Sequence, residues 1–129
     1  MIIVVRHGQT DLNLERRMQG RRGLPLNERG IEQAEKLRED LKNIKFDYVF
    51  SSPRERAVQT AEIATGLKAV KDYRLDVFDL GEADGLKICE VQMNGAAPDS
   101  SISEGVEDRS SFVQRVFSFM SELENEYRN

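Results

Sequence analysis

One cysteine and one histidine occur in 129 residues, and these two scarcities remove whole classes of chemistry. Cys89 alone cannot close an intrachain disulfide, and one His with one Cys falls short of the usual zinc ligand sets, so no metal site is expected. Cys89 lies in no recognisable active-site motif, and a buried packing thiol is the expectation for it. Long apolar runs are also missing. None approaches the ~18 residues of a membrane span, and the apolar start Ile2–Val5 is too short for the core of a signal peptide. The expected location is the cytoplasm. Positive charge is not in surplus either: the formal net charge is −4, which argues against nucleic acid or an anionic membrane as partner. With 33% charged and 39% hydrophobic residues the chain has the balance of a folded domain rather than a disordered one. No repeat or linker divides it, so residues 1–129 read as one domain.

What is present starts at residue 2. Ile2 to Val5 are four consecutive apolar residues, the length of a strand buried on both faces. Arg6 and His7 follow at its carboxyl end, and Gly8 permits a sharp turn close to a ligand. In open α/β sheets ligands sit at that edge. An arginine fork beside the sole histidine suggests phosphate chemistry, although on these residues alone a structural histidine is about as good a reading.

The polar stretch Gln9 to Asn13 reads as a loop, and the arginines at 16, 17, 21 and 22 mostly as a solvated surface. Asn27 can cap a helix whose stripe Ile31, Ala34, Leu37, Leu41 faces the core, with Glu32–Lys36 paired on its outer side. Phe46 to Ser51 is a second strand candidate. It runs into Ser52-Pro53-Arg54-Glu55, where Ser52 can cap, Pro53 suits the first helical position and Glu55 completes a capping box. That turn would aim a helix N-terminus at the sheet edge, with Arg56 one turn in. Arg54 and Arg56 are two apart, so only one of them is expected to point inward. Gly66 ends this helix, and Lys68 to Tyr73 is a short strand candidate. The acidic, glycine-punctuated stretch from Asp72 to Glu90 reads equally as a rim over a phosphate site or as a solvated loop. Asn94 to Glu104 is small, polar and expected to be mobile. A long helix spans about Val106 to Tyr127, with Phe112, Val116, Phe119, Met120, Leu123 and Tyr127 on one face.

Taken together, Arg6-His7-Gly8-Gln9-Thr10 with Asn13 resembles the Arg-His-Gly-x-Thr signature of the histidine phosphatase superfamily, in its phosphoglycerate mutase-like branch. The resemblance continues in order through Gln19-Gly20, Leu24-Pro25-Leu26, Gly30, Gln33-Ala34, Ser51-Ser52-Pro53, Arg56-Ala57 and Gln59-Thr60-Ala61. It then takes in Leu80-Gly81-Glu82, Gly85-Leu86, Gly105-Val106-Glu107 and Arg115-Val116, which is nearly the whole chain. The resemblance implies an α/β fold, a three-layer α/β/α sandwich of phosphoglycerate mutase type. It implies a phosphohistidine mechanism with His7 as nucleophile, and Arg6 and Arg56 gripping the phosphoryl oxygens. Gly8, Gln9, Thr10, Asn13, Gln19 and Gly20 would bind phosphate or substrate. No metal or cofactor is implied, because the arginines neutralise the transferred group. The partner would be a small phosphorylated substrate or phosphate itself.

Two departures bear on activity. The family's acid is a glutamate four residues before the glycine matching Gly81, and Val77 stands there; Asp76, Asp79 and Glu82 are the neighbouring candidate acids. The family also continues past its long helix into a strand carrying a second His-Gly, whereas this sequence has no second histidine. The chain therefore looks like a shortened member with an incomplete sheet, open to self-association. Three functions are implied: a phosphomonoesterase of small metabolites with impaired activity, a catalytically weak phosphate-binding or interaction protein, and a phosphoglycerate mutase. The shortness of the Asp72–Gly105 stretch favours the phosphatase over the mutase.

Overall fold

The computed structural model describes residues 1–95, 97–99 and 104–127. A four-residue helix α1 (Asp11–Leu14) is followed by α2 (Glu28–Leu41), strand β1 (Phe50–Ser51), helix α3 (Glu55–Thr65) and strand β2 (Val70–Lys71). Three single turns of 3₁₀ helix, a short hairpin of β3 (Met93–Asn94) and β4 (Ala97–Pro98), and the long helix α4 (Arg109–Glu126) complete the described chain. Within the Asn94 to Glu104 stretch that was expected to be mobile, residues 96 and 100–103 lie outside the described set.

The architecture is α/β, with helices packed around a small two-stranded parallel sheet. β1 and β2 pair in parallel, Phe50 opposite Val70 and Ser51 opposite Lys71. α2 packs on α3, which lies against β1. On the other side Phe50 meets Phe119 of α4 and Tyr127 at its C-cap edge-on, with ring centroids 5.3 and 5.4 Å apart. Successive strand residues point to opposite faces, so Phe50 serves the α4 layer while buried Ser51 serves the other.

Helix boundaries follow their caps. Asn27 caps α2 by accepting the Gly30 amide at 2.8 Å, Asp108 caps α4, and Gly66 ends α3 in the left-handed conformation at φ 71°. The outer face of α2 is paired otherwise than its sequence suggests: Glu32 lies 3.8 Å from Arg29.

Other elements depart from the sequence reading. Ile2–Val5 is not buried. Its residues are 56, 37, 85 and 44% exposed, and no backbone hydrogen bond ties them to another described segment. Its apolar character called for neighbours on both faces that the described residues do not provide. β1 is confined to Phe50–Ser51, the residues that β2 reaches. α3 begins at Glu55 with Arg54 as its cap residue, not at Pro53. The Ser52 hydroxyl is used locally, accepting the Arg54 amide at 3.3 Å two residues on. Gln9 to Asn13 is not all loop: Thr10 and Asn13 form a capping box that nucleates α1. Cys89 is exposed, on a 3₁₀ turn rather than in the core.

Candidate functional site

His7 sits half-buried where the extended Ile2–Val5 segment turns. Its Nδ1 lies 2.6 Å from the Gly8 carbonyl oxygen. A carbonyl only accepts, so Nδ1 carries the proton and Nε2 keeps its lone pair. Burial, and then the positive charges of Arg56 and Arg6, hold the imidazole pKa below its usual value, outweighing the raising effect of the Gly8 hydrogen bond. Both effects favour the neutral ring, with the Nε2 lone pair outside the Gly8 hydrogen bond.

Gly8 is fixed from two sides. Its amide donates to Thr60 Oγ1 at 3.0 Å, and that hydroxyl donates to the Arg56 carbonyl at 2.8 Å. The next amide, Gln9, donates to Gln33 Oε1 at 2.9 Å. α2 and α3 thus each hold one peptide of the turn. Neither Gln33 nor Thr60 stood out in the sequence for this role; the available signal was a polar residue beside an alanine on an inward helix face.

Beside this turn opens a cavity of about 600 Å³ lined by Arg6, His7, Gly8, Gln9 and Asn13, by Thr60 of α3, and by the α2 face from Arg29 to Asp40. Asn13 Oδ1 accepts the Thr10 amide at 3.0 Å, which leaves the amide nitrogen of Asn13 as the end available to an anion. The other expected site residues form a layer behind. Thr10 is fully buried and its hydroxyl donates to Gln19 Oε1 at 2.8 Å. Gln19 Oε1 also accepts the Leu24 amide at 3.1 Å, while its Nε2 is buried without a hydrogen-bond partner. Gly20 donates to Asp84 Oδ1 at 2.9 Å and accepts from Arg56 Nη2 at 2.8 Å.

Arg56 is only 3% exposed and points inward, while Arg54 is part-buried on another set of partners, donating to the Arg21 carbonyl at 2.7 Å and lying 3.1 Å from Asp76. Burial and the neighbouring Arg54 charge lower the Arg56 pKa, but a guanidinium stays protonated in proteins. Its positive charge is felt at His7, although its side chain is not among the cavity-lining residues.

The three candidate acids lie apart from the cavity. Asp76 is 5% exposed and set between Arg54 Nε at 3.1 Å and Arg21 Nε at 3.3 Å. Asp79 accepts the Gly81 amide and lies 3.5 Å from Arg21 Nη1. Glu82 accepts the Glu104 amide at 2.9 Å. Arg21, one of four arginines read mostly as a solvated surface, is tied to two carboxylates. The carboxylate that does line the cavity is Asp40. It stands seven residues beyond Gln33, about 10 Å along the helix axis from the His7 turn.

The described residues contain no cluster of three or more His, Cys, Asp or Glu side chains that could hold a metal ion. No helix of the described residues is long and apolar enough to cross a membrane.

Comparison with known proteins bears on this geometry. Residues 2–129 match the model of the histidine phosphatase superfamily, branch 1. The uncharacterised phosphatase PhoE of Bacillus subtilis is 37% identical over 92 residues, covering 69% of this chain and 48% of that protein. The structure of Bacillus stearothermophilus YhfR superposes with a TM-score of 0.82 at 30% identity, over 96% of this chain and 67% of its own. A mycobacterial glucosyl-3-phosphoglycerate phosphatase solved with VO3 superposes with a TM-score of 0.78 at 31% identity, over 95% of this chain and 66% of its own. The chain spans about half the length of curated relatives it matches, such as this PhoE and the probable phosphoglycerate mutase GpmB of Proteus mirabilis.

Proposed function

The chain belongs to branch 1 of the histidine phosphatase superfamily, and from that premise we propose that it is a phosphomonoesterase-type protein for small phosphorylated metabolites, with His7 as the phosphoryl acceptor. Nε2 attacks phosphorus, the P–O ester bond breaks, and the leaving oxygen takes a proton. Water then attacks phosphorus, the P–N bond breaks with its electron pair returning to Nε2, and phosphate leaves as water's surplus proton passes to solvent, restoring the neutral ring. Arg6 and the Asn13 amide meet the phosphoryl oxygens, and Arg56 neutralises their charge from behind. The observation that carries this reading is the hydrogen bond from Nδ1–H to the Gly8 carbonyl, which leaves Nε2 as the only nitrogen free to react.

The position of the acids favours a second reading beside it, a protein that binds phosphate and turns over slowly. Asp76, Asp79 and Glu82 are each engaged away from the cavity. Loss of a positioned acid typically costs about 10²–10⁴-fold in rate. Titration with vanadate, the class of anion held by the mycobacterial relative, separates the proposal from a structural role for these residues. Wild type is expected to bind and Arg56→Ala to bind at least about tenfold more weakly. Equal affinity would remove Arg56 from the site.

A further inference from the structure

Asp84 has no part in the chemistry above, yet its side chain is only 6% exposed and both of its oxygens are engaged. Oδ1 accepts the Gly20 amide at 2.9 Å and Oδ2 the Arg22 amide at 3.2 Å. The Arg22 guanidinium lies 3.8 Å away but is largely in solvent, and a pair so exposed adds little. Asp84 does not line the His7 cavity. Its carboxylate is therefore a clamp on backbone rather than an acid for the leaving oxygen.

The clamped segment is a turn, closed by the Gly23 amide donating to the Gly20 carbonyl at 3.4 Å. The same carbonyl accepts from Arg56 Nη2 at 2.8 Å, and among the described residues it is the only acceptor that the guanidinium meets. At the other end of the fork the Gly23 backbone comes so near that a Cβ there would lie 2.2 Å from Arg56 Nη1. The turn thus encloses the fork of a buried arginine. Asp84 is itself held beside it, because the Gly85 amide donates to the Met18 carbonyl at 2.9 Å and the Met18 amide to that of Leu86 at 2.7 Å. Burial and Arg54 lower the Arg56 pKa, and Asp84 is the first of the charges that oppose them, ahead of Asp76.

We propose that Asp84 is a positioning residue for Arg56, an assignment that rests on the phosphatase reading of the His7 pocket. It pins the Gly20–Gly23 turn, and the turn sets the place and plane of the guanidinium that neutralises the phosphoryl group. A planar fork meets an anion in few geometries, so an arginine with a loose seat loses donors as well as alignment. Asp84→Asn sets an amide NH₂ against one of the two backbone N–H groups, donor facing donor, and releases that end of the turn.

Vanadate titration of wild type, Asp84→Asn, Arg56→Ala and the double variant tests this on the 129-residue protein. Asp84→Asn is expected to bind about tenfold more weakly than wild type. Once Arg56 is already Ala, the same change should alter affinity by less than about twofold. A role confined to stability would lower affinity equally in both backgrounds. In wild type the Gly20 and Arg22 amides should exchange with solvent at least about tenfold more slowly than unstructured amides, a readout that needs no variant to fold. Unaltered affinity in Asp84→Asn, an equal loss in both backgrounds, or free exchange of the two amides would each overturn the positioning role and leave the phosphatase reading standing. Wild type that binds no vanadate would overturn that reading, and this role with it.

Discussion

The backbones of Gly8 and Gly30 pass so close that a methyl group on either would collide with the other's segment. A Cβ on Gly8 would lie 2.6 Å from the Gly30 carbonyl oxygen, and one on Gly30 would lie 2.1 Å from that of Gln9. The first turn of α2 is therefore the seat on which the His7 turn rests, with Asn27 capping the helix through Oδ1 and donating from Nδ2 to Gln9 Oε1 at 3.2 Å. Backbone cannot give way as a flexible side chain can, so the position of His7 depends on two missing methyl groups.

Gly30→Ala is accordingly expected to lower stability by about 1–3 kcal/mol and to weaken vanadate binding at the same time, because the displaced turn carries His7. Urea unfolding and an anion titration on one sample check both. A stable variant with unchanged affinity would show that the turn is not seated on α2.

Arg115 ties α4 to the segment that leads away from β2. Its guanidinium donates to Glu107 through Nε and Nη2 at 2.9 Å each, and to the carbonyls of Arg74, Asp76 and Val77 at 3.1, 2.6 and 3.1 Å. Arg115→Met would strand the largely buried Glu107 carboxylate, at a cost on the order of 3 kcal/mol, read as a fall in the urea midpoint. The Arg115 hydrogen bonds hold the Glu107 pKa below its usual value. The stability from this pair is therefore complete above about pH 4.3 and is lost as pH falls through the folded-state value. In Arg115→Met that part of the acid dependence should vanish.

His7 titrates with the corresponding sign. Burial, with the Arg56 and Arg6 charges, depresses its folded pKa below the unfolded value of ~6.5. Between those two values the unfolded chain binds more protons, so stability is full above about pH 6.5 and declines as pH drops through the folded-state pKa. Stability measured against pH in wild type and His7→Gln checks this. An unchanged profile in the variant would mean that His7 is not held neutral by its surroundings.

Catalysis should depend on the leaving group. Aryl phosphates depart with little protonation and alkyl phosphates do not, so hydrolysis of p-nitrophenyl phosphate is expected to exceed that of an alkyl phosphomonoester by about 10²–10⁴-fold. Comparable rates for both would place an acid beside the leaving oxygen, and Asp40→Asn would then identify or exclude the carboxylate that lines the cavity.

Local signals carried the sequence reading far where they were self-contained. Asn27 as a cap, Gly66 as a helix end, the inward turn of one arginine of the 54/56 pair and the α4 face around Phe119 are each set within a few residues. What a segment packs against is not local. Ile2–Val5 has the apolar character of a buried strand, but burial needs neighbours that no pattern within those four residues can supply. Ser52 had two acceptable uses for one hydroxyl, and the turn to the Arg54 amide took it. Cys89 had no periodic context from which exposure could be read. The roles of Gln33 and Thr60 arise only when two helices meet the His7 turn.

The central claim is that His7 accepts the phosphoryl group on Nε2, because Nδ1 is committed to the Gly8 carbonyl. The most direct measurement is rapid quenching of the protein with a labelled aryl phosphate at neutral pH, followed by phosphorus NMR and mass spectrometry of the trapped chain. An acid-labile phosphate on Nε2 of His7, absent from His7→Ala, is the expected result. Phosphate on Nδ1, phosphate on another residue, or turnover that survives in His7→Ala would contradict it.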